Sequence, residues 1–309
     1  MKVRQDCVMS SSFFIKLLAV IAFITLLSGC KAADRTEVIK IGYLLCNSEK
    51  ETIERFQPLT RYLTKKVGVE FVMVPVEINE FEKRFKAGEF AFARTNSYIY
   101  TLLQERHKAR LVASEKRGSF CSRTAGVIVA RKDSGIEKPA DVRGKRMAFG
   151  PLLAPAGYLS EYDMLLASGI DPENDLGHYT IPAGGHKHEK LVYGVLYGKY
   201  DVAAVPLLDI ETMIHEGKIS SEDLTIVARS SLIPYCIFAV ADGVDKAIVN
   251  KVREALLALS PDETIELDGE RIKVMKAARI DGYEELTDQD FNPVRDMAGR
   301  VNQHASKTN

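Results

Sequence analysis

Apolar and polar residues follow two different periods along most of the chain after residue 37. Val38–Leu45 is rich in β-forming residues and partly alternating, which predicts a first strand. Between Ser48 and Val67 the apolar residues recur every three or four positions, which predicts a helix with Pro58 as a kink or a late start. The apolar positions of this segment are Ile53, Phe56, Leu59, Tyr62, Leu63 and Val67.

The same two patterns alternate as far as residue 257. Further strands are predicted at 70–76, 90–94, 111–114, 126–132, 146–150, 178–181, 201–206, 224–229 and 237–241. Further helices are predicted at 79–87, 97–104, 157–168, 188–197, 208–215 and 247–257. Strands that alternate with helices predict an α/β fold with largely parallel sheets.

Length and charge narrow the class of protein. A chain of 309 residues is long for one compact core and natural for two lobes of ordinary domain size. Hydrophobic residues make up 46% and charged residues 27%, values that argue against a disordered chain and against a polytopic membrane protein. Lys+Arg and Asp+Glu number 42 each, so no basic excess exists to neutralise a nucleic-acid backbone, and no nucleic-acid partner is expected.

The first 30 residues have the pattern of an export signal. The apolar run from Phe13 to Leu27 is too short to span a bilayer comfortably, but it suits a signal peptide. It ends in Leu27-Ser28-Gly29-Cys30, which resembles a bacterial lipobox. That resemblance implies removal of residues 1–29 and a lipid on Cys30, with 30–37 as a tether. The protein would then face the periplasm and touch the inner or outer membrane through its lipid anchor only.

Eight short segments occur in an order and spacing typical of one family. They are Ile-Gly-Tyr (41–43), Arg-Phe-Gln-Pro-Leu-Thr-Arg-Tyr-Leu (55–63), Arg-Lys-Asp-Ser-Gly-Ile (131–136), Asp-Val-Arg-Gly-Lys-Arg-Met-Ala-Phe-Gly (141–150), Gly-Ile-Asp-Pro (169–172), Gly-Gly-His (184–186), Tyr-Gly-Lys-Tyr-Asp-Val-Ala-Ala-Val (197–205) and Ser-Leu-Ile-Pro (231–234). Over nearly all of 38–260 the chain resembles the phosphonate/phosphite/phosphate-binding proteins of ABC importers. It also has some likeness to the periplasmic arsenite-binding members, which partner sensor kinases.

The resemblance implies a type 2 periplasmic-binding fold, in which two crossing segments join two α/β lobes around a ligand cleft. Lobe one would comprise 38–125 plus 233–290 and lobe two 126–232, with 291–309 as a C-terminal tail that frays after Gln303. Such a protein binds by hinge closure, and no cofactor or catalytic residue is expected. The sequence also lacks the Gly-x-Ser-x-Gly and His-Glu-x-x-His motifs of common hydrolases, and we expect no enzyme.

Loops that follow the predicted strands supply the candidate ligand contacts of lobe one. Tyr43 and Cys46 lie at the end of the first strand, and Asn96, Ser97 and Tyr98 open a helix after the third. An N-cap at Asn96 or Ser97 can hold an anion on free N–H groups, or it can serve as a cap alone. Tyr98 resembles the family's cleft tyrosine, although a core position fits as well. Thr124, at the first crossing, is a further candidate.

One segment departs from the family pattern. The family has Ser-Thr-Ser-Gly where this chain has Ala154-Pro155-Ala156-Gly157. The three hydroxyls are missing, and Pro155 has no N–H to donate. Charge-assisted hydrogen bonds contribute about 1.5–3 kcal/mol each, so an oxyanion held only at this segment would bind weakly. Ala156 and Gly157 remain candidates through their backbone.

Three cysteines follow Cys30, and all of them fall on the cleft side of the family map. Cys46, Cys121 and Cys236 could converge on trivalent arsenic or a soft metal. Alternatively, two of them could form a disulfide beside one free thiol, or each could be a small buried apolar residue.

Histidine, aspartate and arginine complete the set of candidates. His186, in the Gly-Gly-His segment, is a candidate ligand contact, whereas His188 is predicted to point to solvent. Asp209 lies near the place where the family has an acidic cleft residue, although a surface or capping role fits it equally. Arg94 and Arg123 could supply positive charge, although most arginines are surface residues.

These observations lead to three hypotheses about function. The first is a periplasmic solute-binding lipoprotein that captures a small phosphate-like or phosphonate-like oxyanion and hands it to an ABC permease. The second is a thiol-based arsenite-binding protein that signals to a sensor histidine kinase. The third is a structural lipoprotein whose cleft binds nothing.

Overall fold

The computed structural model of the protein describes residues 38–46 and 48–308. The predicted signal peptide (1–29) and the whole predicted tether (30–37), including Cys30, therefore lie outside the described residues. Within the described ranges, no helix combines the length and the apolar character that a membrane crossing requires.

The first part of the described chain forms four strands of one sheet and the three helices that connect them. Its elements are β1 (Val38–Leu44), α1 (Glu49–Val67), β2 (Glu70–Val76), α2 (Phe81–Lys86), β3 (Phe92–Asn96), α3 (Ser97–His107) and β4 (Arg110–Lys116). Helix α1 begins at a Ser48 cap, whose hydroxyl accepts from the Glu51 N–H, and it continues through Pro58. It ends at Gly68, which has the left-handed φ of 80° that glycine adopts without strain.

The chain then crosses into a second group of elements. These are β5 (Arg123–Thr124), β6 (Gly126–Arg131), β7 (Arg146–Ala148), α4 (Ser160–Ala167), α5 (Pro172–Asp175), β8 (His178–Thr180), α6 (Glu189–Leu196), β9 (Val202–Pro206), α7 (Leu207–His215) and β10 (Leu224–Arg229). Pro155–Leu159, just before α4, forms a wide π-type turn in which Gly157 has a φ of 99°. We call the body around this group lobe two, and the body around the first group lobe one.

The chain returns to lobe one after β10. The returning elements are β11 (Ile233–Pro234), β12 (Cys236–Val240), α8 (Lys246–Leu257), β13 (Thr264–Leu267), β14 (Glu270–Lys273), α9 (Val274–Ala278), β15 (Gly282–Glu284) and α10 (Asn292–Thr308). Strands β5 and β11 pair antiparallel, so the two crossing segments lie side by side.

Each lobe is built on one sheet of mixed direction. The strand order is β15-β4-β12-β3-β1-β2 in lobe one and β10-β6-β9-β7-β8 in lobe two. Strand β12 is antiparallel to β3 and β4, and β6 is antiparallel to β9 and β10. The prediction of largely parallel sheets is therefore wrong, because the strand that follows each crossing enters its sheet in the opposite direction.

The last residues are helical rather than a tail. Helix α10 packs Val294, Met297 and Val301 into the apolar core of lobe two. Its Arg300 forms a bidentate ion pair with Asp163 of α4. At its beginning, Arg295 contacts Glu105 of α3, so the helix touches both lobes. The interpretation of residues 291–309 as a tail is corrected by these contacts.

Candidate functional site

A cavity of about 240 Å³ lies between the lobes, where the carboxyl ends of β1, β3 and β9 meet the loops that follow them. Lobe one supplies Leu44, Cys46, Glu51, Arg55, Arg94, Asn96, Arg117, Tyr235, Cys236 and Arg279 among its lining residues. Lobe two supplies Pro151, Ala154, Pro155, Ala156, His186, Lys187, His188, Glu189, Asp209 and Lys218. The cavity far exceeds the ~10–15 Å³ that one water molecule requires.

Arg55 is a buried cation at this cavity. It extends from α1 and is 8% exposed, and its Nη2 donates to the Ala278 carbonyl at 2.9 Å. Its Nε is buried and has no hydrogen-bond partner among the described residues. Burial, together with the positive charges of Arg94 and Arg117, lowers the pKa of Arg55 to about 10. The group therefore remains cationic at neutral pH, and a negative charge beside it would relieve this repulsion.

Arg94 lies beside it on β3 and is held in a buried ion pair. It is 2% exposed, and its Nε and Nη2 donate to the two oxygens of Glu115 at 3.0 Å and 2.8 Å. Its guanidinium stacks over the Phe56 ring, 4.3 Å from the centroid. Its Nη1 is buried and lacks a hydrogen-bond partner within residues 38–46 and 48–308.

The arginines give lobe one an anion-binding wall. Arg55 and Arg94 both line the cavity, and each also has one buried N–H without a partner among the described residues, which costs free energy. Arg117 lines the same cavity and forms no ion pair within the described part of the chain. An anion with several acceptor oxygens would satisfy these donors through charge-assisted hydrogen bonds.

One part of the lobe-two wall, formed by Ala154, Pro155 and Ala156, is small and apolar, and the backbone donor that follows it is already used. All three residues line the cavity. None of the three has a side-chain hydroxyl, as noted in the sequence analysis. The Gly157 N–H, which could hold an anion, donates instead to both oxygens of the buried Glu161 at 2.8 Å and 2.9 Å. Burial raises the pKa of Glu161 to about 8. Gly157 does not line the cavity, so its prediction as a ligand contact is corrected.

A buried histidine supports this wall. His188 is 7% exposed, and its Nδ1 is 2.8 Å from Oδ2 of Asp209. The hydrogen bond and charge of His188, with Arg117 and Arg55, outweigh burial and lower the pKa of Asp209. The prediction that His188 points to solvent is wrong, because the chain folds its ring against Gly150 and Gly157. His186 also lines the cavity, and burial lowers its pKa.

Two polar contacts join the lobes across the cavity mouth. Lys187 of lobe two donates to Glu51 of α1 at 2.9 Å. The Asn96 side chain caps α3 by accepting from the Ile99 N–H, and its Nδ2 donates to the Leu153 carbonyl of lobe two at 3.1 Å. The predicted cap at Asn96 is therefore confirmed. The Ser97 N–H donates to the Tyr235 carbonyl, so this helix end does not offer it to a ligand.

The three predicted thiols do not meet. Cys46 and Cys236 line the cavity, but Cys121 is exposed and does not. All three are free thiols, which excludes the disulfide alternative in this structure. Burial raises the pKa of Cys236 to about 12. Within the described ranges, no cluster of three His, Cys, Asp or Glu residues is arranged to hold a metal, and the three-cysteine arsenic site is not formed.

The remaining predicted contacts have structural roles. Tyr43 is buried in the lobe-one core, where its hydroxyl is hydrogen-bonded to Thr60 at 2.9 Å. Tyr98 packs into the apolar cluster of lobe two. The Thr124 hydroxyl accepts from the Leu208 N–H. Arg123 pairs with Asp290 at 2.7 Å and does not line the cavity.

Arg55, Arg117 and Lys187 line the cavity but were not predicted as ligand contacts, and the sequence contained a signal for one of them, Arg55. Arg55 occupies the apolar stripe of α1, one and two turns before Leu59 and Tyr62, where an arginine needs a special partner. Arg117 and Lys187 lie in loops and had no comparable signal. Their convergence depends on contacts between residues distant in sequence.

Comparisons with known proteins fit this architecture. A family model described as "ABC transporter, phosphonate, periplasmic substrate-binding protein" matches residues 41–291. The chain belongs to this family. The phosphate-import protein PhnD of Mycolicibacterium smegmatis is 23% identical over 91% of the chain and 94% of that protein. The family consists of periplasmic substrate-binding proteins.

A second curated relative has a different role. The tetrathionate sensor histidine kinase TtrS of Salmonella typhimurium is 29% identical over 257 residues, which cover 78% of this chain. The match spans 42% of the kinase, so the chain covers less than half the length of that relative.

Solved structures share the fold at low identity. PhnD1 from Prochlorococcus marinus, solved with methylphosphonate, has a TM-score of 0.72 at 13% identity, covering 87% of this chain and 99% of that one. XAC2383 from Xanthomonas citri, solved with ATP, has a TM-score of 0.70 at 18% identity over 87% and 98% of the two chains. The predicted two-lobed type 2 fold is confirmed.

Proposed function

We propose that the protein is a periplasmic solute-binding protein that captures a small oxyanion between its lobes and delivers it to an ABC permease. Family membership supports the class of protein, and the cleft supports the class of ligand. Binding would occur by closure of the lobes around the hinge formed by β5 and β11, without catalysis. Attachment through a lipid on Cys30 is part of this proposal and rests on the sequence pattern alone.

One observation carries the choice of an anion. Arg55, Arg94 and Arg117 line the same cavity, and two of these guanidinium groups retain a buried donor without a partner. Burying cations together is unfavourable unless an anion joins them. Lobe one would therefore hold the oxygen atoms of the ligand, while Ala154, Pro155 and Ala156 would cover it without hydrogen bonds from side chains.

A sulfur oxyanion delivered to a sensor kinase is a second candidate. The wall that lacks hydroxyls is poorly suited to a phosphate group, and Cys46 and Cys236 bring two sulfur atoms to the cavity. The similarity to a tetrathionate sensor kinase supports the same class of ligand and the alternative partner. Under this candidate the bound form would contact the kinase instead of a permease.

Titration of the signal-free protein with phosphate, methylphosphonate and tetrathionate would test both candidates. The titration would use both the wild-type protein, which keeps the Cys46 sulfur, and a Cys46→Ser variant, in which no thiol at this position can react with tetrathionate. A ligand present at 100 times its Kd should add about 2.7 kcal/mol to the free energy of unfolding, readable as a thermal shift. Binding of phosphate or methylphosphonate favours the first candidate, whereas binding of tetrathionate alone favours the second.

A matched pair of arginine variants would test the site itself. Arg55→Met should weaken binding about 10-fold to 150-fold, the loss expected for one charge-assisted hydrogen bond. Arg271→Met, on the exposed β14, removes the same charge outside the cavity and should leave the affinity unchanged. Equal effects of the two variants, or no binding of any of the three anions, would refute an oxyanion site at Arg55.

A further inference from the structure

We propose that Cys46 captures anions containing a sulfur–sulfur bond covalently, by forming a mixed disulfide inside the cleft. This inference rests on the proposed function, because it needs an anion-binding cavity. It adds to reversible binding a covalent modification site, Cys46, and a chemical class of reactant, the polythionate dianions. The reaction is stoichiometric, with one reactant consumed per protein molecule.

The position of Cys46 sets it apart from the other two thiols. It follows β1 and lines the cavity, and it is only partly buried. Arg55 and Arg94 line the same cavity as its sulfur. Cys236 lies in the same cavity, but burial keeps it protonated at neutral pH. Cys121 is exposed and lies away from the cavity. A reagent that reacts according to solvent exposure alone would therefore modify Cys121 first.

The arginines supply what the reaction needs. A dianion must approach the sulfur closely, and the cationic residues Arg55, Arg94 and Arg117 line the same cavity as Cys46. The cavity lining contains six cationic side chains against three carboxylates, those of Glu51, Glu189 and Asp209, so it carries a positive excess. An excess of one sign of charge in a cleft raises the local concentration and association rate of ions of the opposite sign, by roughly 10-fold to 1,000-fold in the strongest cases.

The chemistry balances without a further reactant. The Cys46 thiol loses its proton to solvent, and the thiolate attacks one of the two central sulfur atoms of tetrathionate. A bond forms between the Cys46 Sγ and that atom, while the central sulfur–sulfur bond breaks. Its electron pair leaves with thiosulfate, and the protein retains Cys46–S–S–SO₃⁻. The cysteine sulfur is oxidised, the broken bond is reduced, and an added thiol reverses the modification.

Two reagents that differ in charge would test the inference on the signal-free protein. Tetrathionate is a dianion, and methyl methanethiosulfonate is a neutral compound with the same reactive bond. Peptide mapping by mass spectrometry would give the rates at Cys46 and Cys121 under both. We expect the Cys46-to-Cys121 rate ratio to be at least about tenfold higher with tetrathionate.

Arginine variants would show whether the reaction rate at Cys46 depends on the charge of the cavity or only on the exposure of the thiol. Arg55→Met should lower the tetrathionate rate at Cys46 about tenfold or more while leaving the neutral reagent's rate at Cys46 and both rates at Cys121 within about twofold. Arg271→Met should change none of the four rates. Recovery of the free thiol with dithiothreitol would verify the disulfide bond.

The possible failures are distinct. Equal rate ratios for the two reagents, or modification at Cys121 alone, would overturn the inference. If the Cys46→Ser protein still binds tetrathionate or phosphate reversibly in that case, the proposed function stands without it. If the same protein binds no anion and the wild-type rate ratio is unaffected by Arg55→Met, both proposals fail together.

Discussion

The two walls of the cleft handle hydrogen-bond donors in opposite ways. Lobe one directs Arg55, Arg94 and Arg117 at the cavity and leaves two buried donors unpaired. Lobe two uses the Gly157 N–H internally, on Glu161, and presents alanine and proline side chains. Under the proposed function, lobe one therefore holds the anion, and Ala154, Pro155 and Ala156 cover it without hydrogen bonds from side chains. Four predictions address this difference between the walls.

The largest loss of stability is expected from breaking the buried ion pair between Arg94 and Glu115. Arg94→Met leaves Glu115 as an unpaired buried carboxylate, which should cost about 3–5 kcal/mol in the free energy of unfolding. Chemical denaturation would measure it. The double variant Arg94→Met/Glu115→Leu removes both charges and should recover most of the loss. A single variant as stable as the wild type would show that Arg94 and Glu115 are not a desolvated pair.

Stability on the lobe-two side should fall as pH rises. The folded protein holds the pKa of Glu161 at about 8, above its ordinary value, so the contribution of this group is complete below the unfolded pKa and is lost as pH rises through the folded one. The slope reaches up to about 1.4 kcal/mol per pH unit between about pH 4.5 and pH 8. Glu161→Gln cannot titrate, so the difference between wild type and variant across this range isolates the effect. Parallel stability curves for the two proteins would contradict the prediction.

A methyl group at Gly157 should disturb the turn that holds this wall. Gly157 has a φ of 99°, and a Cβ there would lie 2.6 Å from Nε2 of His188. We expect Gly157→Ala to cost about 1–3 kcal/mol. Gly68→Ala is the matched control, because Gly68 has a φ of 80° with no atom within 4 Å of the added Cβ. If the two variants lose the same free energy of unfolding, the contact with His188 contributes nothing.

Restoring the hydroxyl run should have the smallest effect. The triple variant Ala154→Ser/Pro155→Thr/Ala156→Ser introduces three hydroxyls, but Glu161 still engages the Gly157 N–H. We expect the affinity for methylphosphonate to change by less than about tenfold, the contribution of a single hydrogen bond of about 0.5–1.5 kcal/mol, because a turn whose backbone donor stays occupied does not bring all three hydroxyls to the ligand. Calorimetric titration would measure it. Tightening of 100-fold or more would show that the missing hydroxyls alone separate this wall from a phosphonate site.

Local sequence patterns predicted a strand well where its formation depends mainly on its own residues. Strands β2 and β10 occupy the predicted residues 70–76 and 224–229, because a short β-rich run between turn residues depends little on its neighbours. Strand direction was missed, since the reversal of β6 and β12 follows from the crossings and not from their own residues. Helix α10 was also missed, although its apolar residues recur at helical spacing up to Val301.

The site was predictable only in part for a similar reason. Cys46, Asn96, Ala156, His186, Asp209 and Cys236 were predicted as ligand contacts, and all of them line the cavity. That they bind ligand stays a prediction. The hydrogen bonds from the Gly157 N–H to Glu161 depend on the wide turn at Pro155–Leu159, which no local sequence pattern predicts. Arg117 reaches the cavity from the segment after β4, and only the tertiary fold brings it near Arg55.

The last helix sets how the cleft can open. Its apolar side is buried against lobe two around Met297 and Val301, whereas its beginning is tied to lobe one by the exposed ion pairs of Arg295. Exposed ion pairs exchange with water at little cost, but buried apolar contacts do not slide without losing packing. The helix should therefore travel with lobe two as one rigid piece, and the hinge motion should separate the Arg295 side chain from Glu105. A crosslink between these two positions would hold the lobes in the arrangement described above without touching the cavity.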